Sequence, residues 1–329
     1  MKPTGLEATL DFHFDADEPL GILGAPGTGK SEIVAQAARR HNLPLIIMNL
    51  VMSDPTDFKG LPFVLTLPDG SKVTEWVKQQ EWLRKEPFVL FLDELFQAPV
   101  GTMNVAAPII LENRVDNIYL PKGTKRVFAS NRMEDRAGTN RVPSHIPNRC
   151  TIVELESSAE DWVHWAIDNN MPEELVSFML MRPGLLHDFD ANRLVNATPR
   201  QWARVGRMTN KGIPPQVAFE IISGCVGEGP AAEYTAFTKI ASQLPSREAI
   251  LLDPERAPVP ADPSARWAVT GMLIQATTVN NFDSVAKYMG RMPEELQAVL
   301  VKEVLRIQPG IASAKGYVAW AVKFARVLQ

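Results

Sequence analysis

The chain has 329 residues, of which 45% are hydrophobic, and a formal net charge of −4 at pH 7. That length suggests roughly two domains with sizeable cores, and the charge leaves no basic excess for broad, sequence-independent binding of nucleic acid. Cys150 and Cys225 form no CxxC pair and the histidines no HExxH, so neither a metal knuckle nor a disulfide framework is indicated.

The N-terminal stretch Met1–Glu18 has no apolar signal core, and no run in the chain is long enough to cross a bilayer. A soluble, cytoplasmic protein without a membrane partner is the expectation. Alternation of Leu10, Phe12 and Phe14 predicts a short strand or extended segment there. Next comes LGILGAPGTGKS, from Leu20 to Ser31. An apolar strand-length run is followed by Gly24, Gly27 and Gly29, and a helical pattern starts directly after Lys30 and Ser31. This is G-x-x-x-x-G-K-S in the strand–turn–helix context that gives the motif its physics. Glycines permit backbone angles that let successive N–H groups point at a polyphosphate. The helix adds unpaired N–H groups and the positive end of its dipole. Lys30 is placed to reach the β- and γ-phosphates, and the Ser31 hydroxyl to hold Mg²⁺.

Leu45–Leu50 predicts a second buried strand, apolar on both faces as parallel strands tend to be. Phe63–Leu67 and Lys72–Trp76, separated by Pro68-Asp69-Gly70, predict a β-hairpin. It either decorates the α/β pattern or projects towards a pore or a partner. Phe88–Glu94 (FVLFLDE) is a buried strand with two carboxylates at its C-terminal end, where open α/β sheets bind ligands. Asp93 can hold Mg²⁺ through its water shell, and Glu94 can orient and polarise an attacking water as general base. Met103–Leu111 reads as a helix despite Pro108, Arg114–Leu120 as a short β excursion, and Arg126–Ser130 as a strand ending at Asn131. That amide could bond both a γ-phosphate and the water. Thr151–Leu155 is the last strand.

Taken in this order, GAPGTGKS, FLDE, FASN and IPNR resemble the AAA+ ATPases. The NLVMSDPTDFKGLP stretch, the hairpin and DELFQAP resemble the MoxR-type branch, which includes the Rubisco-activase-like CbbQ proteins. The resemblance spans about residues 18 to 210. It implies an α/β P-loop fold with a parallel sheet of order 5-1-4-3-2, a small α-helical lid, and a ring, a hexamer by family habit, with nucleotide between subunits. It also implies ATP over GTP, which the motif alone leaves open. Carried over by position, Gly24, Ala25, Pro26, Gly27, Thr28, Gly29, Lys30 and Ser31 belong to Walker A, Asp93 and Glu94 to Walker B, and Asn131 to sensor 1. Arg149 falls where the family places its arginine finger. Cys150 stands where Phe is usual, and Arg132, Arg136 and Arg141 are nearby alternatives.

Beyond Glu156 the pattern is helical. Trp162, Trp165 and Ala166 share one face, and Pro172–Met181 is a second helix stopped by Pro183-Gly184. In Thr198-Pro199-Arg200, Thr is a good N-cap and Pro suits the first position, so Arg200 falls in the first turn of a helix running to about Thr209. A cation there opposes the helix dipole, and a bound phosphate would offset that. The stretch TPRQW also resembles the family's sensor 2. GCVGEGP (Gly224–Pro230) reads as an inter-helix turn, Leu251–Pro263 as a proline-rich linker, and the tail as amphipathic helices, for example Leu296, Val299, Leu300 and Val304. The domains expected are residues 1–157 for nucleotide binding, 158–250 for the lid, and 251–329 for the linker and helical extension.

The resulting expectation is an ATPase that works with Mg²⁺ in a ring to remodel or activate a protein or complex. MoxR-type ATPases often act with a partner carrying a von Willebrand factor A (VWA) domain. A nucleic-acid motor or loader, its pore lined by Lys59 and Lys72, is the alternative, disfavoured by the charge balance. A nucleotide-gated scaffold without turnover is disfavoured by the intact Asp93–Glu94 pair.

Overall fold

The computed structural model describes residues 1–132, 146–242 and 244–324. Arg136 and Arg141 lie outside the described residues. The chain forms two compact units, Met1–Ser158 with Phe189–Asn192, and Ala159–Asp188 with the chain from Arg193 onward.

The first unit is α/β. Its elements are α1 (Pro3–Ala16), β1 (Leu20–Leu23), α2 (Lys30–Arg40), β2 (Leu45–Asn49), α3 (Pro55–Lys59), β3 (Leu61–Thr66), β4 (Lys72–Val77), β5 (Val89–Asp93), α4 (Val100–Glu112), β6 (Arg114–Val115), β7 (Ile118–Tyr119), β8 (Lys125–Ser130) and β9 (Thr151–Glu154). Five strands make one sheet in the order β2-β5-β8-β1-β9. Every neighbouring pair is parallel. Numbered among themselves, the sheet strands read 5-1-4-3-2 from the β9 edge, as expected. The inner strand β5 is apolar on both faces because both are covered, Leu90 and Leu92 on one side and Val89 and Phe91 on the other. All strands therefore end at the same edge, and the chemistry gathers there.

Two local expectations are corrected. Met1–Glu18 is helical: Leu6, Leu10, His13 and Phe14 are buried at the spacing of one helix face, whereas Phe12 is 68% exposed. The period of the buried residues is that of a helix, and Phe12 only imitates alternation. β2 lies at the sheet's edge and is only half-buried, with Ile47 53% exposed, so it is covered on fewer sides than an inner parallel strand.

The second unit is helical: α5 (Ala159–Asp168), α6 (Glu173–Met181), α7 (Pro199–Thr209), α8 (Ala218–Val226), α9 (Glu228–Ala241), α10 (Arg247–Leu252), α11 (Pro263–Ala276), α12 (Phe282–Met289), α13 (Glu294–Ile307) and α14 (Lys315–Phe324). One core centres on Phe178, whose ring lies 5.7 Å from Trp202, 5.2 Å from Tyr234 and 5.6 Å from Phe237. A second gathers Leu273, Phe282, Tyr288, Leu300 and Val304. α11 crosses α6 so closely that a Cβ on Gly271 would stand 1.8 Å from Ser177 Oγ. The GCVGEGP stretch holds the inter-helix break expected of it, in a single residue. Gly224 lies within α8, Gly229 and Pro230 lie within α9, and only Gly227, at φ 89°, separates the two helices. The proline-rich stretch begins inside α10 and is then tied down: Arg291 donates to the carbonyls of Pro254 (3.0 Å) and Ala257 (2.7 Å), and Tyr288 to that of Pro258 (2.8 Å).

Candidate functional site

The site forms where β1, β2, β5 and β8 end. After Leu23 the chain turns through Gly27 at φ 77° and Gly29 at φ 97°, a region that strongly favours glycine. A Cβ placed on Gly29 would meet nothing within 4 Å, so the loop bounds open space. Gly24 is constrained differently, because a Cβ there would lie 2.8 Å from the Leu155 carbonyl oxygen. Thr28 Oγ1 donates to the Ala25 carbonyl at 2.9 Å, which braces the loop from within. α2 starts at Lys30, with no side-chain cap at Gly29 among the described residues, and so brings the positive end of its dipole to the loop.

Lys30 is 8% exposed. Its Nζ donates to the carbonyls of Gly24 (2.7 Å) and Ala25 (3.1 Å) and to Asn131 Oδ1 (3.3 Å). A buried ammonium is thus centred on the loop, with the amide at the end of β8 beside it. Ser31 Oγ donates to Asp93 Oδ2 at 3.3 Å, so these two residues, 62 positions apart, meet. Both offer hard oxygen donors. Among the described residues no group of three or more His, Cys, Asp or Glu side chains could hold a metal ion. A divalent cation at Ser31 and Asp93 would meet hard oxygen donors of the kind Mg²⁺ takes.

Burial raises the Asp93 carboxyl above its ordinary value, more than Lys30 and its hydrogen bonds from the Glu94 amide and Ser31 lower it. A carboxyl with a raised folded-state pKa costs stability at neutral pH, where it is ionised, and that cost fades as pH falls through the folded-state value. Asp93→Asn is accordingly expected to leave thermal stability without nucleotide unchanged or higher at pH 7 while removing Mg²⁺-dependent turnover. Calorimetry beside an ATPase assay checks both. A clear loss of stability would show that Asp93 is held chiefly by its hydrogen bonds.

Glu94 follows at φ 57° and ψ 34°, a left-handed conformation uncommon for a side-chain-bearing residue. Its Oε2 accepts from Asn49 Nδ2 at 3.0 Å. Asn49 ends β2 in register with Asp93. Sequence reading passed it over, although it is a polar residue closing an apolar strand at the edge where ligands bind. Ser130 Oγ donates to Gln97 Oε1 (2.6 Å) and accepts from the Phe96 amide (3.3 Å), fastening the turn after Glu94 to β8.

Arg149 stands elsewhere. It is exposed on a single turn, Pro147–Arg149, just before β9. β9 pairs with β1 from Leu20↔Thr151 to Leu23↔Glu154, so Thr151 lies at the edge opposite the glycine loop. Four residues separate that level from Gly24, about 13 Å at ~3.3 Å per residue, and Arg149 precedes Thr151 on the turn. No arginine spans that distance along the sheet to its own loop. Beside it, burial pushes the Cys150 thiol up to about 11, so it adds no charge at neutral pH. Arg132 is at the loop's own edge, paired with Glu154 at 3.2 Å. Arg200 belongs to the second unit, exposed in the first turn of α7, where Thr198 Oγ1 accepts from the Gln201 amide at 3.3 Å.

Residues 19–149 match the family described as AAA domain (dynein-related subfamily), which supports ATPase activity in this chain. None of the curated proteins matches the sequence. Among solved structures, a RuvB mutant from Thermotoga maritima is 14% identical, with 77% of this chain and 75% of that one covered and a TM-score of 0.40. NtrX from Brucella abortus is 15% identical over 91% of this chain and 67% of its own, with a TM-score of 0.38. Among the described residues no helix is long and apolar enough to cross a membrane.

Proposed function

We propose that the chain, whose residues 19–149 match the AAA domain family, is a MoxR-type motor that hydrolyses ATP with Mg²⁺ in a homo-oligomeric ring, a hexamer, to remodel or activate a protein or complex. The observation that carries the reading is the meeting of Lys30, Ser31, Asp93 and Asn131 at one sheet edge. The loop from Gly24 to Ser31 wraps the phosphates, and Lys30 exchanges its loop carbonyls for phosphate oxygens. Ser31 and Asp93 would hold Mg²⁺, whose charge offsets that of the polyphosphate. Glu94 takes up the proton of the attacking water as general base, and Asn131 fixes water and γ-phosphate. Arg149, at the sheet edge opposite its own loop, serves a neighbouring copy. Arg200 reports the γ-phosphate to the helical unit, which acts as the lid. A VWA-domain protein is the partner we favour, and use of ATP makes the cytoplasm the expected compartment.

The target is a protein because the charge of −4 leaves few cations for phosphate contacts along a nucleic acid. The test is ATPase stimulation by single- and double-stranded DNA over a salt series, beside a pull-down with Glu94→Gln held in ATP. We expect no salt-sensitive stimulation and a protein captured only in the ATP state. Strong stimulation that falls steeply with salt, together with no protein captured, would reassign the chain to nucleic-acid motors.

A further inference from the structure

β3 and β4 form an antiparallel hairpin in which all six residues of each strand are exposed. Leu61, Phe63, Leu65, Val73 and Val77 share one face, and Val64 and Trp76 lie on the other. Their exposures run from 41% to 66%. Neither face is covered by the described residues, and a lone two-stranded hairpin is marginal in water, whereas a third strand stabilises it.

The register says which edge can take one. Leu67 N donates to Ser71 O at 2.8 Å, so this pair, one step beyond Thr66↔Lys72, is hydrogen-bonded. Antiparallel pairs alternate, which makes Leu65↔Val73, Phe63↔Glu75 and Leu61↔Val77 hydrogen-bonded as well. The C=O of Pro62 and the N–H and C=O groups of Val64 and Thr66 on β3, and of Lys72, Thr74 and Trp76 on β4, therefore point outward. Pro62 has no N–H, which blunts the β3 edge. The β4 edge keeps every donor and acceptor.

We propose that the free edge of β4 receives an extended segment of the protein target as a third strand, with apolar side chains at alternate positions and a basic residue facing Glu75. Val73 and Val77 flank Glu75 on the more apolar face, so the incoming strand meets an apolar–acidic–apolar row there. Main-chain pairing supplies affinity with little demand on sequence. A single six-residue strand is only about 20 Å long, too short to bury the roughly 1,200 Å² of a stable interface between copies. The contact suits a target that is held and released. This rests on the reading that the target is a protein, which the DNA series tests separately.

The probe is a fluorescently labelled peptide alternating threonine and valine, with one central valine replaced by lysine, titrated into the full chain by anisotropy. Thr74→Pro removes one outward N–H of β4 without removing a hairpin hydrogen bond, and is expected to weaken binding about tenfold. Val64→Pro, the same change on the blunted edge, should bind like wild type. A peptide N-methylated at its threonines, whose amides face β4, should fail, and one methylated at its valines should bind. Basal ATPase activity should be unchanged in both variants, which shows that the AAA domain is intact. Lack of binding to wild type, equal weakening by both proline variants, or equal weakening by both methylation patterns would overturn the proposal. So would a change of oligomeric state on Thr74→Pro with peptide binding retained, which would assign the edge to a second copy.

Discussion

Glu94→Gln is expected to bind ATP as the wild type does and to hydrolyse it about 10²–10⁴-fold more slowly, the usual cost of losing a general base. The amide keeps an oxygen that can accept from Asn49 Nδ2, now 3.0 Å from Glu94, so the local structure should survive. What disappears is an oxygen basic enough to take a proton from water. Lys30→Ala should behave in the opposite way. It removes the ammonium centred on the loop, leaving the Gly24 and Ala25 carbonyls to face a polyphosphate without it. Nucleotide binding should be lost, and turnover with it. Equilibrium binding of a fluorescent ATP analogue and steady-state phosphate release separate the two. Turnover by Glu94→Gln near the wild-type rate would reject the role given to Glu94.

Arg149→Ala is expected to bind nucleotide normally yet turn over slowly, by a factor of ~10³ or more, the range for an arginine that stabilises charge on a transferring phosphoryl group. Arg149 is exposed before β9, at the edge opposite its own glycine loop, and on the proposal above it acts on another copy's nucleotide. Wild-type turnover per chain should therefore rise with protein concentration as copies associate, while the variant stays low throughout. An exposed side chain away from the core contributes little to folding, so thermal stability should change by less than about 0.5 kcal/mol. Undiminished turnover would remove Arg149 from the mechanism.

The site's own residues were legible because their chemistry is local. A glycine loop between a strand and a helix, and a strand ending in Asp-Glu, announce themselves through spacing alone. What sequence could not give was position across the sheet. Met48 and Ile47 look like the interior of a parallel strand, and only the strand order reveals that β2 is an edge. The same ignorance hid Asn49, whose meaning depends on lying in register with Asp93. At the N-terminus, Leu10, Phe12 and Phe14 satisfied a period of two, while Leu6 and His13, which carry the helical period, drew no notice. In GCVGEGP the glycines suggested a turn, yet only Gly227 adopts a positive φ there. The hairpin was legible from Pro68-Asp69-Gly70, but its bare faces and intact β4 edge emerged only from exposure and register.

The most direct test of a site shared between copies is to mix two impaired chains. Lys30→Ala should lose nucleotide binding and Arg149→Ala should turn over only slowly, so neither alone should approach the wild-type rate. In a mixed ring, an intact loop from one chain can face an intact Arg149 from the other. Part of the wild-type ATPase activity should then return, rising as the two are brought towards equal amounts. Mixed rings that form, as shown by differently tagged chains purifying together, and yet recover no activity would contradict it.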